Sequence, residues 1–518
     1  MSLSDTLKSS DSGFLGEGSY GCVYYPGITC KGKKNKKNLV TKIQEINFYS
    51  DNEKNNGKYI KTNIKNYNKY FIPILKFCIV KFNILEKSSL NMKKCNTLFD
   101  EYEDIIYNSK STNNYKRYTS IYNLNSNTNV NANVNANVNA NVKTNANANA
   151  NANANVNANV KTNANANVNP NPIINNQYIL MYSSYVKSYS FKDFYTNYIN
   201  YNFEFVFNLL NHFYKLVYAV NLLNQIGIVH NDLHINNILI NSKNLHPVII
   251  DFGLSFNINN CYKLNKDYID FQYIKRFVFD YRQDGYHFNI EKRFISFIIF
   301  NKTPHFPSEI YDNNDNNNIS KGAINFFIAD AYNTIIQNEE ISRYFNSNEM
   351  SDYKKALEHF YYQFLDNSVY PKYNTIVKYL LNFVYMYNDL YSTTINLLYI
   401  NDLQHNKHNV GLNNEEQIIL EFFIQLYKKV LYPDPNMRLK LSEVLELYKF
   451  IINFIKNYNL KTIKKTIRLD MISELVKFLK SKNISIKVVF YKHFAFLNFN
   501  LLCNDLIFQT IKSNSIKL

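Results

Sequence analysis

The chain has 518 residues, 46% of them hydrophobic, with 44 Tyr and 38 Phe, enough apolar material for one large or two medium cores plus insertions. A formal charge of +17 would suit a nucleic acid or an anionic membrane, but the basic residues are scattered, and the densest run, Lys31 to Lys37, reads as an exposed loop, so no nucleic-acid partner is expected. The six cysteines stand far apart without a CxxC pair, which argues against a disulfide framework and a zinc site, and no apolar run reaches the roughly 18 residues of a membrane span.

The N-terminal stretch MSLSDTLKSSDS has no apolar signal core, so an intracellular soluble protein is expected. Next, LGEGSYGCVYYPG (Leu15 to Gly27) sets Gly16, Gly18 and Gly21 in GxGxxG spacing, with Val23 two residues on. Glycines let a backbone close over phosphates and present N–H groups to them. The same spacing marks dinucleotide-binding folds, where a helix follows at once. Here CVYY continues as strand, which predicts a hairpin. NLVTKI (38–43) and FIPILKFCIV (71–80) read as further strands. From about Asn125 to Pro172 the motifs NANV, NANA and VKTNANAN repeat without an apolar period. Alternating Asn and Ala bury too little surface to offset chain entropy, so a disordered insertion is expected.

QYILMY (177–182) is another strand, and from Phe203 to Gln225 apolar residues recur at helical spacing up to Gly227, a stop signal. GIVHNDLHINNILI (Gly227 to Ile240) and PVIIDFGLS (Pro247 to Ser255) place two short strands around a turn. The remainder is mostly helical in pattern.

Four features therefore stand in one order: the glycine loop, Lys42 a strand later, Asp232 and Asn237 five apart in HxDxxxxN, and Asp251 of a DFG fourteen residues past Asn237. An aspartate there can accept the proton of an attacking hydroxyl, and an amide oxygen with a second carboxylate can ligate Mg²⁺. Together they resemble the eukaryotic-type protein kinase superfamily. The texture GSYGCVYYPGITC, VHNDLHINNIL and IIDFGLS is similar to divergent Ser/Thr protein kinases of large cytoplasmic DNA viruses.

The resemblance implies an α+β, bilobal protein-kinase-like fold. A small β-rich N-lobe would comprise 13–82 and 177–182, interrupted by an insertion at 83–176. A larger, mainly helical C-lobe would span 183–450 with an insertion at about 310–385, followed by a C-terminal helical extension at 451–518 that packs on the C-lobe. It implies ATP and Mg²⁺ as cofactors, protein substrates and a cytoplasmic location (host cytoplasm or virion, if viral). It assigns Leu15, Gly16, Gly18, Gly21 and Val23 to the nucleotide, and Lys42 to the α/β-phosphates with Glu53 as its partner on the next helix. Met181 becomes the gatekeeper and Ser183 a hinge residue. Asp232 is the catalytic aspartate, His230 braces its loop, and Asn237 and Asp251 hold the metal. Further along, Glu309 in TPHFPSE would be a buried glutamate paired with Arg438 in LYPDPNMRLKLSEVL, and Asp389 in NDLYSTTINLL would tie down the catalytic-loop backbone.

Two positions depart from the family pattern. Asn231 replaces an arginine that grips an activation-loop phosphate, which implies activity independent of that phosphorylation. His234 replaces a lysine near the transferred phosphate, where a cationic imidazole could act instead. HxDLHxxN also resembles aminoglycoside and choline kinases, so a small-molecule kinase is the alternative, and an inactive scaffold a third reading. Lys42, Asp232, Asn237 and Asp251 are all present, which speaks against the scaffold.

Overall fold

The hairpin expected after Gly16 forms with Gly18 opposite Gly21 and Gly16 opposite Val23. The structure, a computed structural model, describes residues 13–99, 177–407 and 424–457, apart from short breaks at 19, 35–37, 198–202, 264–267, 279–287, 301–318, 367, 371 and 425. These residues make a mixed α+β chain with two compact units, one of Met1–Ser50 and Lys76–Tyr185, the other of Asp51–Leu75 and Val186–Leu518. The Asn/Ala repeat and everything past residue 457 lie outside the described residues.

The first unit is built on an antiparallel sheet of β1 (Phe14–Gly18), β2 (Gly21–Tyr24), β3 (Leu39–Glu45), β4 (Lys76–Lys81) and β5 (Gln177–Ser184), in the order β1-β2-β3-β5-β4. Tyr178 to Tyr182 of β5 are buried without a break, as a central strand requires. A helix, α1 (Phe48–Asn63), leaves β3 and enters the second unit. α2 (Phe82–Glu86) and α3 (Asn96–Phe99) follow β4. Phe82, Leu85, Met92 and Cys95 from this segment complete a core with Cys22, Tyr24, Ile43, Val80 and Leu180.

Three expectations are corrected here. The cysteines do form bonds: Cys22 pairs with Cys95 and Cys30 with Cys78, at sequence separations of 73 and 48 that no spacing rule could reveal. The strand read at 71–80 is shorter, because Phe71 bridges to Ile249 in the second unit and β4 starts at Lys76. Residues 51–75 accordingly belong with the second unit, and Ser183 remains in β5 opposite Val40.

In the second unit, β6 (Ser188–Ser190) precedes α4 (Phe191–Thr196) and α5 (Phe203–Gln225), which ends before Gly227 at φ 79°, a left-handed stop. β7 (Ile228–Val229), β8 (Ile238–Asn241), β9 (Pro247–Ile249) and β10 (Phe256–Asn257) frame two loops, with sheet order β6-β8-β9 and β10 paired to β7. The helices that follow are α6 (Phe271–Lys275), α7 (Ile290–Phe300), α8 (Lys321–Gln337), α9 (Glu339–Ser342), α10 (Ser347–Tyr362), α11 (Tyr373–Lys407) and α12 (Leu441–Asn457). The interval read as an insertion is thus largely helical, and α11 is one helix of 35 residues with Asp389 in its middle rather than at its start.

Candidate functional site

In the first unit, Val23, Lys42 and Met181 are directly opposite one another on β2, β3 and β5, so their side chains share one face of the sheet. The glycines of the hairpin divide by role. A Cβ on Gly21 would lie 2.0 Å from the Ile43 carbonyl oxygen, so packing alone demands glycine there, whereas a Cβ on Gly16 or Gly18 would meet nothing within 4 Å. Their smallness leaves room against the backbone for something else. Leu15 is exposed beside them. Glu17 Oε2 accepts from the Asn96 and Thr97 amides at 3.0 and 3.4 Å, and Thr97 Oγ1 donates to the Gly18 carbonyl at 3.0 Å, so α3 clasps the outer side of the turn.

In the second unit, the loop His230 to Asn237 is held at every step. Asp389, buried within α11, accepts from the backbone amides of His230 at 2.6 Å and Asn231 at 2.9 Å. Ser255 Oγ donates to the His230 carbonyl at 3.1 Å, and Asn396 Nδ2 to the Leu233 carbonyl at 2.9 Å. His230 Nε2 lies 3.0 Å from the Ile250 carbonyl, which fixes it as donor and leaves Nδ1 to accept from the Asp232 amide at 3.4 Å. Asn231 is fully buried, its Nδ2 donating to the carbonyls of Leu254 and Phe277 at 3.0 and 3.2 Å. An arginine would not fit that role, so the amide here is a structural brace between the loop and the segment after the DFG.

Asp232, His234 and Asn237 form a triangle. Asn237 Nδ2 donates to the Asp232 carbonyl at 2.8 Å and to Asp232 Oδ2 at 3.1 Å, and it lies 3.2 Å from His234 Nε2. His234 Nε2 is 3.6 Å from Asp232 Oδ2, while its Nδ1 accepts from the Asn236 amide at 3.2 Å. Burial works against a charge on His234, but the hydrogen bond and charge of Asp232, with Asp251 behind, carry its pKa above the ordinary value. The DFG follows at once: Ile250 N donates to the Asn237 carbonyl at 3.0 Å, and Asp251 Oδ1 accepts from the Gly253 amide at 3.2 Å. Asp251 has φ 60° and Asn231 φ 69°, left-handed backbone that costs a non-glycine residue of order 1–3 kcal/mol and is sustained only by surroundings that over-determine it.

α1 supplies part of that over-determination. Asn52 Nδ2 donates to the Gly253 and Ser255 carbonyls at 2.8 and 2.7 Å, and Asn56 Nδ2 to those of Phe252 and Ser255 at 3.3 and 2.9 Å. Glu53 is buried between them, its Oε2 3.6 Å from where a Gly253 Cβ would be.

Arg438 corrects the sequence reading. Glu309 lies outside the described residues, and the guanidinium is paired instead with Glu291 at the start of α7, Nη1 to Oε2 at 2.8 Å and Nη2 to Oε1 at 2.9 Å, both side chains wholly buried. Glu291 begins a run of three consecutive charges, each buried. Arg293 donates to Asp330 at 2.8 Å. Lys292 lies 3.5 Å from the centre of the Phe288 ring and lines a cavity of about 20 Å³ with Asn231. Burial is the main influence on its ammonium and pushes it down to about 7, while Asp232 and Asp389 pull it up.

Sequence reasoning missed Asn52, Asn56, Glu291 and Lys292. The first two flank Glu53 at i,i+4 spacing, and EKR stands at the head of an otherwise apolar run, the one local hint that these charges are buried. No protein-family model and no curated protein matches this chain.

Proposed function

We propose that the chain is an ATP-dependent protein kinase that transfers the γ-phosphate of Mg·ATP to protein Ser or Thr hydroxyls. The observation that carries this reading is the hydrogen-bonded set of Asp232, Asn237 and the DFG, suspended from Asp389. Asp232 would orient and accept the hydroxyl proton, while the Asn237 amide and Asp251 carboxylate are the hard oxygen donors that Mg²⁺ favours. The face bearing Val23, Lys42 and Met181, and the open approach to Gly16 and Gly18, suit a nucleotide. The buried Glu291–Arg438 pair supports a protein kinase over a small-molecule kinase of the aminoglycoside or choline type, whose loop the HxDLHxxN stretch also resembles.

The test is radiolabelled phosphate transfer from Mg·ATP by wild type and Asp251→Asn. Casein, myelin basic protein and the kinase itself would be offered alongside choline and an aminoglycoside, with phosphoamino-acid analysis. Protein labelling on Ser or Thr that is lost in the variant is expected. Label on a small molecule alone would replace this reading with the small-molecule kinase, and nucleotide binding without transfer would replace it with the scaffold.

A further inference from the structure

The two faces of the glycine hairpin do different things. Side chains alternate along a strand, so Glu17 and its partner Cys22 belong to one face, and Gly16, Gly18 and Val23 to the other. Val23 continues across the sheet into Lys42 and Met181, the face that suits a nucleotide. Cys22 continues into Ile43 and Leu180, which share a core with Phe82, Leu85, Met92 and Cys95 of the segment after β4. That segment therefore covers the sheet on the side opposite the proposed ligand.

The same segment reaches the turn itself. Cys95 is bonded to Cys22, and both are fully buried. The next two residues meet the turn: Glu17 Oε2 accepts from the Asn96 and Thr97 amides at 3.0 and 3.4 Å, and Thr97 Oγ1 donates to the Gly18 carbonyl at 3.0 Å. Glu17, Gly18, Asn96 and Thr97 are all exposed, so each of these bonds is exchanged against water and adds little on its own. The disulfide decides whether they persist. Cys22 stands directly opposite Glu17 and Cys95 directly precedes Asn96, so the covalent link keeps donors and acceptor together at high effective concentration.

We infer that Glu17 and Thr97 are positioning residues for the nucleotide, and that the Cys22–Cys95 bond makes their hold on the glycine turn redox-dependent. The inference rests on the kinase reading above. Held from the face opposite the ligand, the turn is ordered before a nucleotide arrives, and binding no longer bears that entropy. A dithiol reverses the arrangement: it gives two electrons and two protons to the Cys22–Cys95 bond, which becomes two thiols, and closes to its own disulfide. Cys95 then stays in the core by packing alone, and the exposed bonds to Glu17 and Gly18 loosen.

The experiment measures the Kd of Mg·ADP by titration calorimetry on the full chain, oxidised and after dithiol treatment, with circular dichroism confirming the fold in both. Reduction should weaken binding about 3- to 10-fold, the worth of one or two ordinary hydrogen bonds. Cys22→Ser/Cys95→Ser should bind like the reduced protein in either state, and Cys30→Ser/Cys78→Ser should keep the difference between the states. Should a cysteine variant fail to fold, surface variants of the oxidised protein carry the test. Thr97→Val should weaken Mg·ADP by a similar factor and Thr97→Ser should restore it, with the KM for ATP changed more than kcat. Glu17→Ala separates the clasp from simple charge: removing a carboxylate beside the glycines favours an anionic ligand, whereas losing the clasp weakens it, and weaker binding is expected. Equal affinity in the oxidised and reduced proteins, unchanged affinity in Thr97→Val, or tighter binding in Glu17→Ala would overturn the inference while the kinase reading stands. No Mg·ADP binding in any state would overturn both.

Discussion

Replacing Glu291 with glutamine is the sharpest test of how the second unit is held together. The carboxylate takes two hydrogen bonds from Arg438, at 2.8 and 2.9 Å, in a site with no exposure of either side chain. In the variant the amide oxygen can still accept one guanidinium bond, beside those to the carbonyls of Tyr432 at 2.5 Å and Pro433 at 3.4 Å, but the amide NH2 opposes the other donor and the charge has lost its partner. Breaking a buried pair from one side costs about 3–5 kcal/mol, a shift of two to nearly four decades in the folding equilibrium. Arg438→Met should cost a similar amount, since it strands the carboxylate. The double variant Glu291→Leu/Arg438→Met should recover most of the loss, because two apolar side chains leave no charge unpaired. Urea unfolding followed by far-UV circular dichroism measures all three. The control is Glu309→Gln, expected to fall within about 0.5 kcal/mol of wild type because Arg438 is already satisfied. A loss below about 1 kcal/mol for Glu291→Gln together with a larger one for Glu309→Gln would refute the assignment.

Three further outcomes are expected. His234 has a raised pKa, so its charge persists above the usual 6.5 and is lost as pH rises through the raised value; His234→Lys should flatten the fall in rate as pH rises above 6.5, and an unchanged profile would make His234 a packing residue. His212 is buried against the Tyr195 hydroxyl at 2.6 Å, and burial, with Lys215, pushes it down to about 3; its stabilising effect is full above pH 6.5 and is lost as pH falls toward 3, about 2–3 kcal/mol by pH 4.5, so His212→Gln should shallow the acid limb of urea midpoints measured from pH 7 to 4.5. A dithiol should lower the melting temperature of the oxidised protein, since the Cys22–Cys95 bond closes a 73-residue separation, for which the chain-entropy model gives about 4 kcal/mol, and Cys22→Ser/Cys95→Ser should melt where the reduced protein does, apart from what Cys30–Cys78 adds.

What could be read in the chain was whatever is encoded locally. α5 begins and ends at the residues its apolar period and Gly227 indicate, and β8 and β9 stand on either side of their turn. The residues of HxDxxxxN and DFG are brought together because each motif is a single loop, and Ile250 N to the Asn237 carbonyl joins the two. Partners far apart in sequence were beyond reach. Glu291 and Arg438 are 147 residues apart, and a Pro-Ser-Glu string drew attention to Glu309 instead. α11 was misjudged for a different reason: around Asp389 it buries Asn388, Ser392, Thr393, Thr394 and Asn396 among apolar residues such as Leu390, Tyr391 and Ile395, so polar positions interrupt the stripe by which a core helix is recognised. Asp389 and Asn396 hold loop backbone, at His230, Asn231 and Leu233, while Ser392, Thr393 and Thr394 bond carbonyls of their own helix, and requirements of that kind leave no periodic trace.

The two ends of the Asn/Ala-rich insertion are anchored differently, and this bears on inheritance. On one side Cys95, just before α3, is bonded to Cys22 of β2; on the other, the chain enters β5, flanked by β3 and β4. Both anchors are fixed by bonds that do not involve the repeat. Doubling the length of a flexible connecting chain adds only about 0.6 kcal/mol of closure entropy. Tandem copies of NANV and NANA are the kind of sequence that replication slippage lengthens and shortens. Natural lineages of this protein could therefore differ widely in repeat number while the sheet, the glycine hairpin and the loop beneath Asp389 pass unchanged from one to the next.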